Sequence, residues 1–160
     1  MNDQHFHEMA IVGAGLTGVM TALALSYCGY GSAAEPAVVL VDRTNHPSGK
    51  PEALSSDHRT TTIHSAGMAM LSALGVWPLI SHKATPITRI KVAQGQPKRD
   101  RLSQRRPEFI LNWHDDDMPM AYVIDNQNLL RALYHKLETR PVKLVSGHEV
   151  TGFNHGGDYA

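Results

Sequence analysis

The sequence has little cysteine, no excess of either charge and no long apolar run. Its 160 residues include one cysteine, Cys28, which excludes a disulfide framework and a cysteine-based metal cluster. The mostly apolar surroundings of Cys28 predict a packed thiol. Fifteen Lys and Arg balance 15 Asp and Glu, which argues against nucleic-acid binding. No stretch approaches the ~18 apolar residues of a membrane-spanning helix, and the length predicts a single core.

What the sequence does have is a glycine-rich turn directly after its first apolar run. Residues 9–12 predict a strand, Gly13, Gly15 and Gly18 follow with the spacing G-x-G-x-x-G, and the Ala- and Leu-rich segment beyond them predicts a helix. In this pattern the first glycine permits a tight turn, the second lets a pyrophosphate approach the backbone, and the third lets the helix pack against the strand. The helix N-terminus then faces the phosphates.

An acidic residue ends the next predicted strand. Residues 38–41 are apolar and Asp42 follows them, roughly 20 residues beyond the glycines, as in dinucleotide-binding folds. The carboxylate of Asp42 would accept hydrogen bonds from a ribose 2′-OH. The pattern therefore predicts an adenine dinucleotide as ligand, and it does not distinguish FAD from NAD because both carry an unphosphorylated ribose.

The remaining predicted elements break the strand–helix alternation of a plain doubly wound domain. They are a loop at 44–56, a helix at 65–74, strands at 87–93, 108–113 and 120–124, a helix from Asp125 or Asn126 to Leu137, and short strands at 142–145 and 149–153. A simple NAD domain would keep alternating strands with helices. The block of three strands therefore favours an α/β flavoprotein with an inserted sheet.

Four segments of the chain resemble the group A flavoprotein aromatic hydroxylases. They are residues 57–64, 70–78, 85–90 and 122–133. The resemblance is closest to the branch that hydroxylates polyprenylated phenols in ubiquinone biosynthesis, the 2-polyprenyl-6-methoxyphenol hydroxylases in particular, and it runs from about residue 8 to residue 152. It implies a Rossmann-like FAD-binding domain of the glutathione-reductase type, with residues 85–124 as a β excursion toward a substrate domain.

The resemblance also implies the reaction. Members of this family use FAD, a reduced nicotinamide (NADH or NADPH) and O₂, and a flavin C4a-hydroperoxide transfers one oxygen to the phenol ring. Their second fingerprint, a Gly-Asp followed by an Ala-His, has no counterpart here, since Gly157 and Asp158 differ from it in position and flanks. We therefore expect residues 1–160 to be the N-terminal part of such an enzyme, with the C-terminal remainder absent, to bind FAD weakly and to lack hydroxylase activity alone.

The cofactor-binding residues follow from the same resemblance. The residues expected at the pyrophosphate are those of the turn, namely Gly13, Ala14, Gly15, Leu16, Thr17 and Gly18. Asp42 stands where the family more often has a ribose-binding Glu, and Arg43 follows it near the adenosine. Arg59 is implied near the flavin, and Gln127 near the phosphate and ribityl groups, where its amide carries no charge. The sequence predicts no catalytic residue and no metal site, because no histidine pair has the i, i+4 spacing of a zinc site.

Two other interpretations of the sequence stay open. One is another FAD or NAD oxidoreductase, such as an amine oxidase or a dehydrogenase, and the other is an inactive dinucleotide-binding fragment. The sequence does not fix the ring position hydroxylated, the prenyl length or the choice between NADH and NADPH.

The location and partners of the protein are predicted only coarsely. The basic residues Lys98, Arg99, Arg101, Arg105 and Arg106 predict either a solvated loop or a contact with anionic lipid headgroups, because the implied substrate resides in membranes. The N-terminus carries no targeting signal, which predicts a soluble cytoplasmic protein. Attachment at the inner membrane surface, and assembly with itself or with another protein, stay open.

Overall fold

The computed structural model describes residues 7–32, 34–45, 58–94, 108–114 and 118–153. Their elements are β1 (Met9–Val12), α1 (Leu16–Tyr27), β2 (Val38–Asp42), β3 (Thr60–His64), α2 (Ser65–Ala73), α3 (Trp77–Ile80), a 3-10 turn (Ser81–Lys83), β4 (Thr85–Ile87), β5 (Arg89–Gln94), β6 (Glu108–His114), β7 (Ala121–Asp125), α4 (Asn126–Leu137) and β8 (Val142–Ser146). Predictions for residues 46–57, 95–107 and 115–117, the basic segment included, lie outside the described residues.

A parallel sheet of three strands carries the glycine turn. β2 lies in the middle, with β1 on one side and β8 on the other, so that Val41 pairs with Val12 and with Val145. Parallel neighbours require crossover connections, and α1 lies in the crossover from β1 to β2. The carboxyl ends of the three strands meet at one edge of the sheet, which is where ligands bind in open α/β sheets.

The hydrophobic core lies between this sheet and two helices. Val38 and Leu40 of β2, Leu23 of α1 and Leu133 of α4 are fully buried, and α1 also contacts α4. The buried positions of α4 follow a helical period, which places one apolar stripe of that helix against the core.

The opposite face of the parallel sheet is apolar but open to solvent. Successive side chains of a strand point to opposite faces, so the Val12, Val41 and Val145 side chains lie on the face turned away from the core. The Val12 side chain is 67% exposed, and the other two are half-buried. In the described residues, the hydrophobic core therefore covers only one face of the parallel sheet.

An antiparallel sheet positions the N-terminus of α4. β7 lies between β3 and β4, and Thr60 at the start of β3 pairs with Asp125 at the end of β7. On this sheet Tyr122 packs edge to face against Trp77, with ring centroids 5.0 Å apart. β5 and β6 form a separate antiparallel ribbon.

Arg140 fastens the C-terminal end of α1. Its Nη2 donates a hydrogen bond of 2.6 Å to the Ser26 carbonyl oxygen, and its Nε donates one of 3.0 Å to Ser26 Oγ. The guanidinium carbon lies 3.9 Å from the centroid of the Tyr27 ring. A cation here satisfies a terminal carbonyl and opposes the negative end of the helix dipole.

Several predictions about local structure are wrong. The strand predicted at 87–93 is two strands, because β4 pairs with β7 whereas β5 pairs with β6. The segment predicted as a strand at 149–153 has no regular structure, and residues 60–64, for which no element is predicted, form β3. Cys28 is exposed and not packed, because it is the C-cap of α1.

None of the helices in the described part of the chain has the length and apolarity needed to cross a bilayer.

Candidate cofactor site

The three glycines of the turn have three different surroundings. Gly13 has φ +99°, a conformation that favours glycine, and its N–H donates to the Val41 carbonyl at 2.7 Å. A Cβ on Gly18 would collide with the Gly13 carbonyl oxygen, so only glycine lets α1 cross β1 this closely. A Cβ on Gly15 would meet no atom within 4 Å, so the space beside that residue is open.

The N-terminus of α1 opens into this space. Gly15 is the N-cap, no side chain caps the helix, and its first turn carries no acidic residue. The first N–H groups of a helix have no intrahelical acceptor, and the positive end of the helix dipole attracts anions. The residues present therefore fit the pyrophosphate of a dinucleotide.

Asp42 holds the turn from the second strand. Its Oδ2 accepts the Ala14 N–H at 2.6 Å, and its Oδ1 accepts the Thr44 N–H at 2.7 Å. These two bonds fix the Asp42 carboxylate at the end of β2, beside the turn. The residues after β8 contact the same strand end, because the His148 N–H donates to the Asp42 carbonyl at 3.0 Å.

Tyr134 contacts the turn from α4, and the sequence does not predict this contact. Its hydroxyl donates to the Ala14 carbonyl at 2.9 Å, between residues 120 positions apart. Burial, and secondarily the negative charge of Asp42, raise the pKa of the Tyr134 hydroxyl well above its ordinary value, so the hydroxyl stays a donor. The available signal was a tyrosine on an apolar helical stripe, which needs a partner when buried, but that pattern does not identify the partner.

Arg59 and Gln127 lie together at the N-terminus of α4. The Asn126 N–H donates to the Arg59 carbonyl at 3.0 Å, and Asp125 caps the helix by accepting the Gln127 N–H at 2.8 Å. The Arg59 side chain is exposed and that of Gln127 is half-buried. Gln127 precedes Tyr134 by two helical turns on the same face of α4, a separation of about 10 Å along the axis.

The structure thus brings the predicted residues into two groups that α4 connects. The turn residues 13–18 and Asp42 form the first group, with Arg43 exposed beside it. Arg59 and Gln127 form the second group. Among the described residues no three His, Cys, Asp or Glu side chains are grouped as metal ligands. The roles of these residues toward a cofactor stay predictions.

Comparison with known families identifies the domain. A family model described as an FAD-binding domain matches residues 7–160. The chain belongs to this FAD-binding family. Ubiquinone hydroxylase UbiL from Rhodospirillum rubrum is 29% identical over 138 residues, which are 84% of this chain and 28% of that protein.

Solved structures of oxygenases share the fold. p-Nitrophenol 4-monooxygenase PnpA from Pseudomonas putida DLL-E4 has a TM-score of 0.64 at 19% identity, covering 96% of this chain and 34% of that one. The tetrameric form of 2-methyl-3-hydroxypyridine-5-carboxylic acid oxygenase has a TM-score of 0.61 at 13% identity, covering 89% and 32%. These likenesses confirm the predicted α/β fold, and the family match shows an FAD-binding domain, with FAD as cofactor. The chain spans about a third or less of these relatives.

Proposed function

We propose that this chain forms one side of the FAD site of an enzyme that hydroxylates a polyprenylated phenol in ubiquinone biosynthesis, using NADH or NADPH and O₂. The observation that carries the FAD site is the turn, in which Asp42 holds the Ala14 N–H and the space beside Gly15 is open. The substrate class is supported by the likeness to ubiquinone hydroxylase UbiL and by the segments that resemble that branch.

The residues of the chain bind and orient the cofactor in this proposal. The turn and the N-terminus of α1 hold the pyrophosphate, and Asp42 holds the ribose. Arg59 and Gln127 contact the cofactor farther along, and their place two helical turns from Tyr134 suits an extended ligand. FAD supplies the oxygen chemistry when it is bound, and the protein supplies orientation and exclusion of water.

The proposed domain organisation assigns residues 1–160 to the N-terminal part of an FAD-binding domain and about residues 85–124 to a β excursion toward a substrate domain. The pairing of β5 with β6 apart from the parallel sheet supports the second assignment. One face of that ribbon is apolar and open, since Val92, Leu111 and Trp113 are 42%, 38% and 49% exposed.

The purified chain tests the expectation that it is inactive alone. We expect the absorbance spectrum to show less than one FAD per chain. We also expect that adding a prenylated phenol does not stimulate NADH oxidation. A stoichiometric flavin together with phenol-stimulated NADH oxidation would show instead that the chain is self-sufficient.

A chimera tests the substrate class. Residues 7–152 would replace the matching segment of the Rhodospirillum ubiquinone hydroxylase, and the products would be measured by mass spectrometry. We expect the chimera to hydroxylate a prenylated phenol, and the same chimera with Gly15→Ala to lose flavin and activity together. A flavin-loaded chimera that oxidises only short, unprenylated phenols would contradict the proposal.

We also propose that the basic segment with Lys98, Arg99, Arg101, Arg105 and Arg106, which lies outside the described residues, contacts anionic lipids. Each basic residue near such a surface contributes about 1 kcal/mol. Neutralising all five should weaken co-sedimentation with phosphatidylglycerol vesicles at low salt. An unchanged partition would contradict the contact.

A further inference from the structure

Two consecutive peptide groups of the glycine turn are held by side chains. The N–H of the Gly13–Ala14 peptide donates to Asp42 Oδ2 at 2.6 Å. The carbonyl of the next peptide, Ala14–Gly15, accepts the Tyr134 hydroxyl at 2.9 Å. Ala14 is 1% exposed and Tyr134 is 7% exposed, so water does not compete freely for either bond.

The second of these bonds fixes the direction of the Gly15 N–H. A trans peptide is planar, and its N–H points opposite to its C=O. Because Tyr134 holds the Ala14 carbonyl toward α4, the Gly15 N–H points away from α4. Among the residues that the structure describes, no acceptor is recorded for this N–H, and the Cβ position of Gly15 meets no atom within 4 Å.

Donation to the carbonyl also polarises the peptide. A hydrogen bond accepted by a C=O strengthens the donor at the other end of the same peptide group. The Gly15 N–H is therefore both aimed at the open space and made a better donor for an anion there.

We propose that Tyr134 is a positioning residue for the cofactor, which sets the Gly15 N–H toward the pyrophosphate of FAD. This inference rests on the FAD site proposed above and adds a residue 120 positions from the motif. The other interpretation is a core tyrosine whose hydroxyl only stabilises the fold.

The test is Tyr134→Phe, which keeps the ring in the core and removes the hydroxyl. FAD affinity would be measured by fluorescence titration, and the Gly15 amide would be followed by ¹H–¹⁵N NMR in the cofactor-free chain. We expect the Kd for FAD to rise five- to tenfold, at about 1.4 kcal/mol per factor of ten, and the Gly15 amide proton to move upfield.

Two control variants separate positioning from stability. Tyr122→Phe alters a tyrosine that packs on Trp77 in the other sheet, and should leave the Kd for FAD unchanged. Leu137→Val weakens the core at the far end of α4, and should lower the free energy of unfolding without changing the FAD affinity or the Gly15 amide shift.

Three results would overturn the inference. They are a Kd for Tyr134→Phe within twofold of wild type, a stationary Gly15 amide, and a Leu137→Val variant that weakens FAD binding as much as Tyr134→Phe does. None of them depends on phenol turnover, so the proposed substrate would stand. If the wild-type chain bound no FAD, the proposed site would fail, whereas the Gly15 amide shift would still decide the role of Tyr134.

Discussion

At the scale of single residues, Gly15 and Gly18 show two distinct reasons for glycine in one motif. Gly18 is required by the chain itself, because the Gly13 carbonyl occupies the place of its side chain. Gly15 has an ordinary extended backbone with φ −75° and ψ −172°, and the space beside it is open. Nothing in the described residues therefore forces glycine at Gly15, which leaves the ligand as the reason for it.

Alanine at each position should separate these reasons. Gly15→Ala should change the free energy of unfolding by less than about 1 kcal/mol, but lower FAD affinity about tenfold or more, because its methyl group enters the pyrophosphate space. Gly18→Ala should lose about 3 kcal/mol of stability through overpacking. Urea unfolding and FAD titration measure both effects, and wild-type FAD affinity in Gly15→Ala would contradict the assignment.

The hydroxyl of Tyr134 should make the free energy of unfolding depend on pH in the alkaline range. Its pKa is raised in the folded protein above the ordinary value of 10.0, so its contribution is fully present below about pH 10 and is lost as pH rises toward the folded pKa. Tyr134→Phe cannot ionise. We expect wild type to be more stable than Tyr134→Phe by about 1 kcal/mol at pH 8. This difference should fall by about 1.4 kcal/mol per pH unit above 10, so that Tyr134→Phe becomes the more stable protein near pH 11.

Urea unfolding of both proteins at pH 8 and pH 11 measures this change. Ionisations elsewhere in the chain are common to both variants and cancel in the difference. A difference that stays constant between the two pH values would mean that Tyr134 is not protected in the folded state.

At the scale of elements, the two ends of α1 differ in what they contact. Its N-terminus is open toward the candidate cofactor space, and its C-terminus is held by Arg140 through Ser26 and the Tyr27 ring. Tyr27 in turn donates to the Leu74 carbonyl at 3.2 Å. The end far from the turn therefore anchors the helix to the segments that follow α2 and α4.

Arg140→Met should remove this anchor while keeping much of the apolar stem. We expect a loss of about 2 kcal/mol in the free energy of unfolding, from hydrogen bonds to a charged group and a cation–π contact. Arg140→Lys should recover only part of the loss, because an ammonium lacks the planar fork of donors. Thermal and urea unfolding measure the series, and equal stability of all three proteins would contradict the anchor.

The elements that the sequence predicts well are those with a local apolar signal. β1, β2 and α4 have apolar runs or a helical period, and the turn after β1 is a contiguous motif. The sequence does not predict β3, because Thr60–His64 is largely polar and forms a strand only by pairing with the distant β7. α3 is not among the predicted elements because four residues are too short for a helical period, although Pro78 lies in its first turn, where proline is favoured.

The candidate site likewise has a part that could be predicted from a local sequence pattern and a part that could not. The turn and Asp42 could be predicted because each follows a recognisable strand. That Asp42 would hold the Ala14 N–H, and that Tyr134 would hold the Ala14 carbonyl, could not be predicted, because both are tertiary contacts without a pattern in the sequence.

At the scale of the whole molecule, the parallel sheet has one covered face and one open face. Parallel sheets are normally covered on both faces, and the relatives are about three times as long as the region that this chain matches. Val12 on the open face is 67% exposed, whereas Val38 on the covered face is fully buried. The two valines lie on neighbouring strands and offer a matched comparison.

Val12→Thr should change the free energy of unfolding by no more than about 0.5 kcal/mol, and Val38→Ala should cost about 2 kcal/mol or more. Urea unfolding at two protein concentrations measures both. If Val12→Thr costs as much as Val38→Ala, and the cost grows with protein concentration, the open face is buried between copies of the chain.

The contact between Tyr134 and Ala14 also bears on the order in which the protein folds. The glycine turn is synthesised before α4, and the hydroxyl that holds it arrives 120 residues later. Closing so long a loop costs more conformational entropy than forming a local contact, and non-local contacts slow folding. We therefore expect the glycine turn to become rigid late in folding, after α4 docks against α1, although it is synthesised before α4.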